Sequence, residues 1–123
     1  MELTYFFDTY AFYKLINGNS AYEKYKKGIA VITTKLNLME LYYGLLREEG
    51  ESVAENYFNE FLKFCVDFND EVIKEANKFK LLNKKRKLSY VDRIGYILAR
   101  NYGAKFLTGD KEFDGLANVE FVK

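Results

Sequence analysis

The sequence predicts an α/β fold in three layers, α/β/α, with a short central parallel sheet of four to five strands. Three observations carry that prediction. Short apolar runs rich in β-branched and aromatic residues alternate with longer stretches of helical periodicity, the pattern of strands joined by helical crossovers. The runs are nearly continuous in their apolar character, as strands buried on both faces must be. No linker, repeat or low-complexity stretch interrupts the 123 residues, so residues 1–123 read as one domain, able to bury roughly two thirds of the surface of its unfolded chain.

Leu3 to Phe7 is the first strand, ending at Asp8. Ala11 to Ile16 reads as a short helix closed by Asn17-Gly18-Asn19, and Ser20 can cap a second helix over Ala21 to Lys27. Ile29 to Ile32 is the second strand. Thr33 and Thr34 offer hydroxyl caps to a helix that runs to about Glu49, turns Leu38, Leu41, Leu45 and Leu46 toward a core, and stops at Gly50. Another helix covers Glu51 to about Phe64, and Val66-Asp67-Phe68 is a third, weak strand. Asn69 or Asp70 caps a helix running on to the basic tetrad Lys84-Lys85-Arg86-Lys87. Ser89 opens the last helix, through about Asn101, whose apolar face is Val91, Ile94 and Leu98 and whose Gly95 and Ala99 permit close packing. Lys105 to Thr108 and Val119 to Val122 supply the remaining strands, with a turn or short helix at Lys111 to Leu116 between them.

Composition narrows the chemistry. Histidine is absent, which removes Ser-His and Cys-His nucleophiles, His-ligated zinc and His general bases together. Nineteen basic residues stand against 18 acidic ones, so a general polyanion-binding charge is not expected, although a local basic patch can still hold phosphate. The single cysteine, Cys65, lies in an apolar stretch and reads as a buried free thiol in a reducing compartment. No basic start with an apolar h-region and no run of about 18 apolar residues is present, so a cytoplasmic protein that does not engage a membrane is expected. Tyr42, Tyr43, Tyr57, Phe58 and Phe61 suggest an exposed apolar patch and hence a homodimer. No glycine-rich phosphate loop occurs.

Four acids then draw attention: Asp8, Glu40, Asp92 and Asp110. Ligands of parallel α/β sheets bind beyond the C-terminal ends of the strands. Asp8 and Asp110 each follow a strand, and Glu40 and Asp92 lie in the early turns of helices, so all four can converge at that edge. Carboxylates forced together repel unless a proton or a cation intervenes, which makes a metal site the natural occupant. Each acid also has a plainer role. Asp8 can cap a helix, Glu40 can be a solvated helix residue, Ser89-Tyr90-Val91-Asp92 fits a capping box, and Asp110 can serve a turn. The tetrad Lys84, Lys85, Arg86 and Lys87 reads as a solvated helix end, a contact to substrate phosphates, or both.

Taken in order, Tyr5-Phe6-Phe7-Asp8-Thr9-Tyr10-Ala11-Phe12, Thr33-Thr34 leading to Met39-Glu40-Leu41-Tyr42-Tyr43-Gly44, Leu88-Ser89-Tyr90-Val91-Asp92, and Phe106-Leu107-Thr108-Gly109-Asp110-Lys111-Glu112-Phe113 resemble the PIN-domain family over essentially the whole chain. The likeness is greatest to the compact VapC-type toxins of toxin-antitoxin pairs. The resemblance implies a PIN-like fold and a Mg²⁺- or Mn²⁺-dependent endoribonuclease, a hydrolase in which Asp8, Glu40, Asp92 and Asp110 match the acidic quartet and Thr9 and Thr108 its hydroxyl positions. It also implies an RNA substrate and a cognate VapB-like antitoxin. Two departures stand out: Arg93 follows Asp92 where the family usually carries something smaller, and Asp114 is a further acid that could share or replace the role of Asp110. The rivals fit less well. An aspartyl-phosphate phosphatase needs an Asp-x-Asp pair where Tyr10 stands, and a phospho-receiver domain needs an Asp after its third strand, where Asp67 is a poor match. A catalytically silent PIN domain acting in RNA binding or assembly is the remaining alternative.

Overall fold

A computed structural model describes residues 3–123. Four strands, β1 (Leu3–Phe7), β2 (Ile29–Ile32), β3 (Lys105–Thr108) and β4 (Val119–Phe121), form one parallel sheet in the order β2-β1-β3-β4. Five helices cover it: α1 (Thr9–Ile16), α2 (Lys35–Glu49), α3 (Glu51–Phe61), α4 (Asp70–Leu82) and α5 (Tyr90–Asn101). Because side chains alternate along a strand, β1 feeds two cores. Tyr5 and Phe7 point to α1–α3, where they meet Phe12, Leu38, Leu41 and Phe61. Phe6 points to α4 and α5, where it meets Ile97, Leu98, Phe106 and Phe113. A Cβ on Gly95 would sit 2.8 Å from the Phe6 ring and 3.2 Å from Phe106, so only glycine lets α5 lie this close to the sheet.

Several expectations are corrected. Val66-Asp67-Phe68 is not a strand: beside β2 the chain makes a single bridge, Cys65 to Thr33, with Val66 N–H donating to the Thr33 carbonyl at 2.9 Å. Val66 and Phe68 then pack into the α4–α5 core, so burial rather than pairing explains their apolar character. Ser20–Tyr25 is a 3-10 helix. That winding sets residues three apart on one side and aims both buried tyrosines at the last strand, Tyr22 at the Val122 carbonyl and Tyr25 at the Glu120 carboxylate. α3 ends at Phe61 and gives way to a 3-10 turn, Leu62–Phe64. Leu46 lies on the exposed side of α2, Phe61 is a core residue stacked on Phe12, and Cys65 is only half-buried. The proposed aromatic patch is therefore smaller than expected, with Tyr43 its exposed member.

Candidate metal centre

Strand ends and helix starts assemble the site. Phe7 pairs with Leu107 across β1 and β3, so Asp8 leaves the sheet beside Thr108. The turn is held on its other flank by Thr33, whose hydroxyl donates to the Phe7 carbonyl at 2.9 Å. Asp8 is the N-cap of α1, one carboxylate oxygen accepting the Ala11 N–H at 2.8 Å. On the neighbouring strand, the Thr108 hydroxyl accepts the Asp110 N–H at 3.0 Å and an Asp110 oxygen accepts the Glu112 N–H at 3.0 Å. Gly109 is required between them. Its Cβ would fall 2.3 Å from the Tyr10 ring and 2.4 Å from the Val122 carbonyl.

The two helical acids are fixed by hydrogen bonds of different kinds. Asp92 and Ser89 form a complete capping box, the Asp92 carboxylate accepting the Ser89 N–H at 3.0 Å and the Ser89 hydroxyl accepting the Asp92 N–H at 3.1 Å. Glu40, in the second turn of α2, accepts the Thr9 hydroxyl at 2.6 Å. The plain readings of Asp8, Asp92 and Asp110 are thus correct as far as they go. Capping engages one oxygen of each and leaves the rest of the carboxylate to other partners.

Electrostatics ties the four together. Asp8 is buried, and its carboxyl is pushed up to about 7, mainly because burial penalises its charge. The Thr108 hydroxyl and the Ala11 N–H pull it back down, while the charges of Asp92 and Asp110 push it higher. Asp92 is raised as well, first by burial; the Ser89 hydrogen bonds oppose this, and the charges of Asp110 and Glu40 add to it. All four carboxylates therefore share one field. Among the described residues none of them forms a salt bridge. As the side chains stand, no three acids among those residues are gathered tightly enough to form a closed ligand set. The donors are nonetheless hard oxygens of the kind Mg²⁺ and Mn²⁺ take, and a carboxyl raised first by burial and then by neighbouring carboxylates is a group a cation would relieve. The residues fit the ion.

One member escaped the sequence reading. Asn37 is buried and donates to the Thr9 hydroxyl at 3.3 Å while accepting from the Thr34 hydroxyl at 2.7 Å. A relay Thr34–Asn37–Thr9–Glu40 results. The available signal was a polar residue one turn before Glu40, between Leu36 and Leu38.

Asp114 is exposed, and its charge does not figure among those that raise Asp8 or Asp92. Its carbonyl, with that of Glu112, accepts Arg86 Nη1 at 2.9 and 2.7 Å. Arg86 is not a solvated helix end: α4 stops at Leu82, and Arg86 Nη1 ties the following turn to the loop after β3. Lys84, Lys85 and Lys87 stay exposed. Arg93 turns away from the acids onto α4, donating to the Leu88 carbonyl at 3.0 Å and to Asn77 at 3.1 Å.

The family pattern described as PIN domain matches residues 5–119. Sequence comparison with curated proteins finds no match, so kinship is carried by that pattern and by the fold. Among solved structures, a toxin-antitoxin complex from Klebsiella pneumoniae superposes with a TM-score of 0.73 at 17% identity, covering 94% of each chain. VapC20 from Mycobacterium tuberculosis, a toxin that cleaves the sarcin-ricin loop, gives 0.74 at 19% identity, over 94% of this chain and 98% of that one. VapBC2 from Rickettsia felis, bound to a DNA fragment from its promoter, gives 0.72 at 20% identity over 98% of both chains. Among the described residues no helix is long and apolar enough to cross a membrane.

Proposed function

This chain belongs to the PIN-domain family, and from that membership we propose that it is a Mg²⁺- or Mn²⁺-dependent endoribonuclease, the toxin of a type II toxin-antitoxin pair. The observation that carries the reading is the group of four carboxylates from separate elements, coupled to one another, without a salt-bridge partner among the described residues, at the carboxyl edge of a parallel sheet. A structural cap needs one acid and water around it. Four in one field call for a proton or a cation, and a divalent ion relieves all four at once.

Asp8, Asp92 and Asp110, with Glu40, would hold the ion, which when bound polarises the scissile phosphate and lowers the pKa of water. The chain's own residues do the rest. Asp8 is locked by Ala11 and Thr108, and Asp92 by Ser89, so their remaining oxygens keep one orientation. Thr9 steers Glu40 through one oxygen and leaves the other to orient, or take a proton from, the attacking water. Lys84, Lys85 and Lys87 would hold the RNA backbone.

The partner of this reading is a VapB-like antitoxin. A cleft of about 530 Å³ between α1, α2 and α3, edged by Glu48, Glu49 and Glu60, suits a basic amphipathic segment. Self-association is proposed through α2, where Met39 and Tyr43 are about two-thirds exposed. The deciding experiment is a Mn²⁺ titration with fluorescent single-stranded RNA. Cleavage that requires metal and is lost in Asp110→Asn supports the proposal, and metal-independent RNA binding without cleavage supports the silent-PIN alternative.

A further inference from the structure

Between α4 and α5 lies a cavity of about 290 Å³ whose walls are Phe68, Ile73 and Ile94 and whose rim is Asn77, Tyr90 and Arg93. Tyr90 is 74% exposed, although it is the first residue of α5 and two positions from Asp92. The Arg93 guanidinium carbon sits 4.7 Å from the centre of its ring. Arg93 is itself fixed by the Leu88 carbonyl and the Asn77 side chain, so one face of the tyrosine is backed by a positioned cation and the rest is open. The capping box holds this turn rigid.

We propose that Tyr90 and Arg93 form a stacking platform for one unpaired base of the RNA strand cut at the acid cluster. The inference rests on the ribonuclease reading above and adds a substrate subsite to it. Single-stranded RNA is gripped by aromatic rings and arginine planes on which its bases stack. The charge of the rim suits that ligand, being cationic with no carboxylate among the lining residues. Its size suits a single ring system, since it falls just below the ~300–1,000 Å³ of drug-sized pockets. Its place is on the α4 side of the helical turn that carries Asp92, so a strand passing over the start of α5 can reach both the platform and the acids.

The test uses the full chain and single-stranded oligoribonucleotides with 2-aminopurine at each position in turn, bound to the non-cleaving Asp8→Asn variant in Mg²⁺. Quenching at one or two adjacent positions, lost in Tyr90→Ala and kept in Tyr90→Phe, is expected. In the otherwise unaltered enzyme Tyr90→Ala should raise KM roughly tenfold, as loss of one stacked base does, with kcat unchanged. The salt dependence of RNA binding should also be unchanged, because tyrosine neutralises no phosphate. If wild type cleaves RNA but Tyr90→Ala matches it in KM and quenching, the platform is overturned while the nuclease reading stands; if wild type neither binds nor cleaves RNA, the nuclease reading fails first and the platform with it. A change of oligomeric state in Tyr90→Ala with RNA affinity intact would make the pocket a protein interface and overturn the proposal.

Discussion

Asp8→Asn should make this protein more stable at neutral and alkaline pH while sharply lowering the proposed RNA cleavage. The carboxyl is buried and raised to about 7, against an ordinary value of 3.8. A folded value above the unfolded one means that the native state holds the proton longer. The associated stability is fully present below about pH 4, declines by about 1.4 kcal/mol per pH unit between about 4 and 7, and is gone above 7. The whole difference is roughly 4 kcal/mol, a large share of a domain's stability. Asparagine keeps the cap, since its oxygen can still accept the Ala11 N–H, and it carries no charge to desolvate or repel. In EDTA at pH 8 the variant should therefore gain about 2 to 4 kcal/mol, roughly 8 to 15 °C in Tm for a chain of this size. At pH 4 the two proteins should be nearly equal. Millimolar Mn²⁺ should stabilise the wild type by an amount that grows with the logarithm of its concentration above Kd, about 2.7 kcal/mol at a hundred times Kd, and stabilise the variant less. Urea and thermal melts at pH 4, 6 and 8, with EDTA and then Mn²⁺, measure all of this. A wild type whose stability is flat from pH 4 to 8, or a variant less stable than wild type at pH 8, would refute the assignment of a buried, repelled carboxyl.

Turnover gives the companion result: Asp8→Asn and Asp110→Asn should each lower RNA cleavage at least about a hundredfold, because charge stabilisation at the phosphate supplies several kcal/mol, whereas Asp114→Asn should be close to wild type. Initial rates in Mn²⁺ decide it, and a more severe Asp114 variant would mean the fourth acid is wrongly assigned. Asn37→Ala should release Thr9 and through it Glu40, costing about 1 to 2 kcal/mol of stability and about tenfold in kcat, read from single-turnover rates. In the basic tetrad, Arg86→Ala should lower stability by about 2 kcal/mol, since it orphans two carbonyls. Lys84→Ala with Lys85→Ala should leave stability alone and reduce the salt slope of RNA binding by about 0.7 for each phosphate no longer neutralised.

What the sequence made legible follows from which interactions are local. β1 and β3 match the apolar runs because both strands are buried over most of their length, and the edge strand β2 is half-buried throughout and still apolar. The caps at Thr34, Asn69 and Ser89 were readable because each bond spans three residues. Val66–Phe68 misled because an apolar run reports burial and not pairing, and at the β2 edge the chain pairs through Cys65 alone. Asn37 and Arg86 were opaque for a matching reason. Their partners, Thr9 and the Glu112 and Asp114 carbonyls, lie 28, 26 and 28 residues away, so the local sequence could single out the residues but not say what they hold.

The acids illustrate why cap and site cannot be separated by inspection of a motif. Three of the four aspartates and glutamates spend one oxygen on a backbone N–H at the start of a helix or helical turn. Such a bond favours the charged form and fixes the rotamer, so it partly offsets the burial and repulsion that raise Asp8 and Asp92. A carboxylate without that support would turn to solvent or stay protonated. At the end of a parallel strand the next helix begins within one or two residues, which supplies the N–H group at the edge where a ligand binds. The local signature of an ordinary cap is thus a precondition for holding several negative charges together. The information that separates a metal centre from a set of caps lies in the strand order, which brings Asp8 beside Thr108 and Asp110 across β1 and β3.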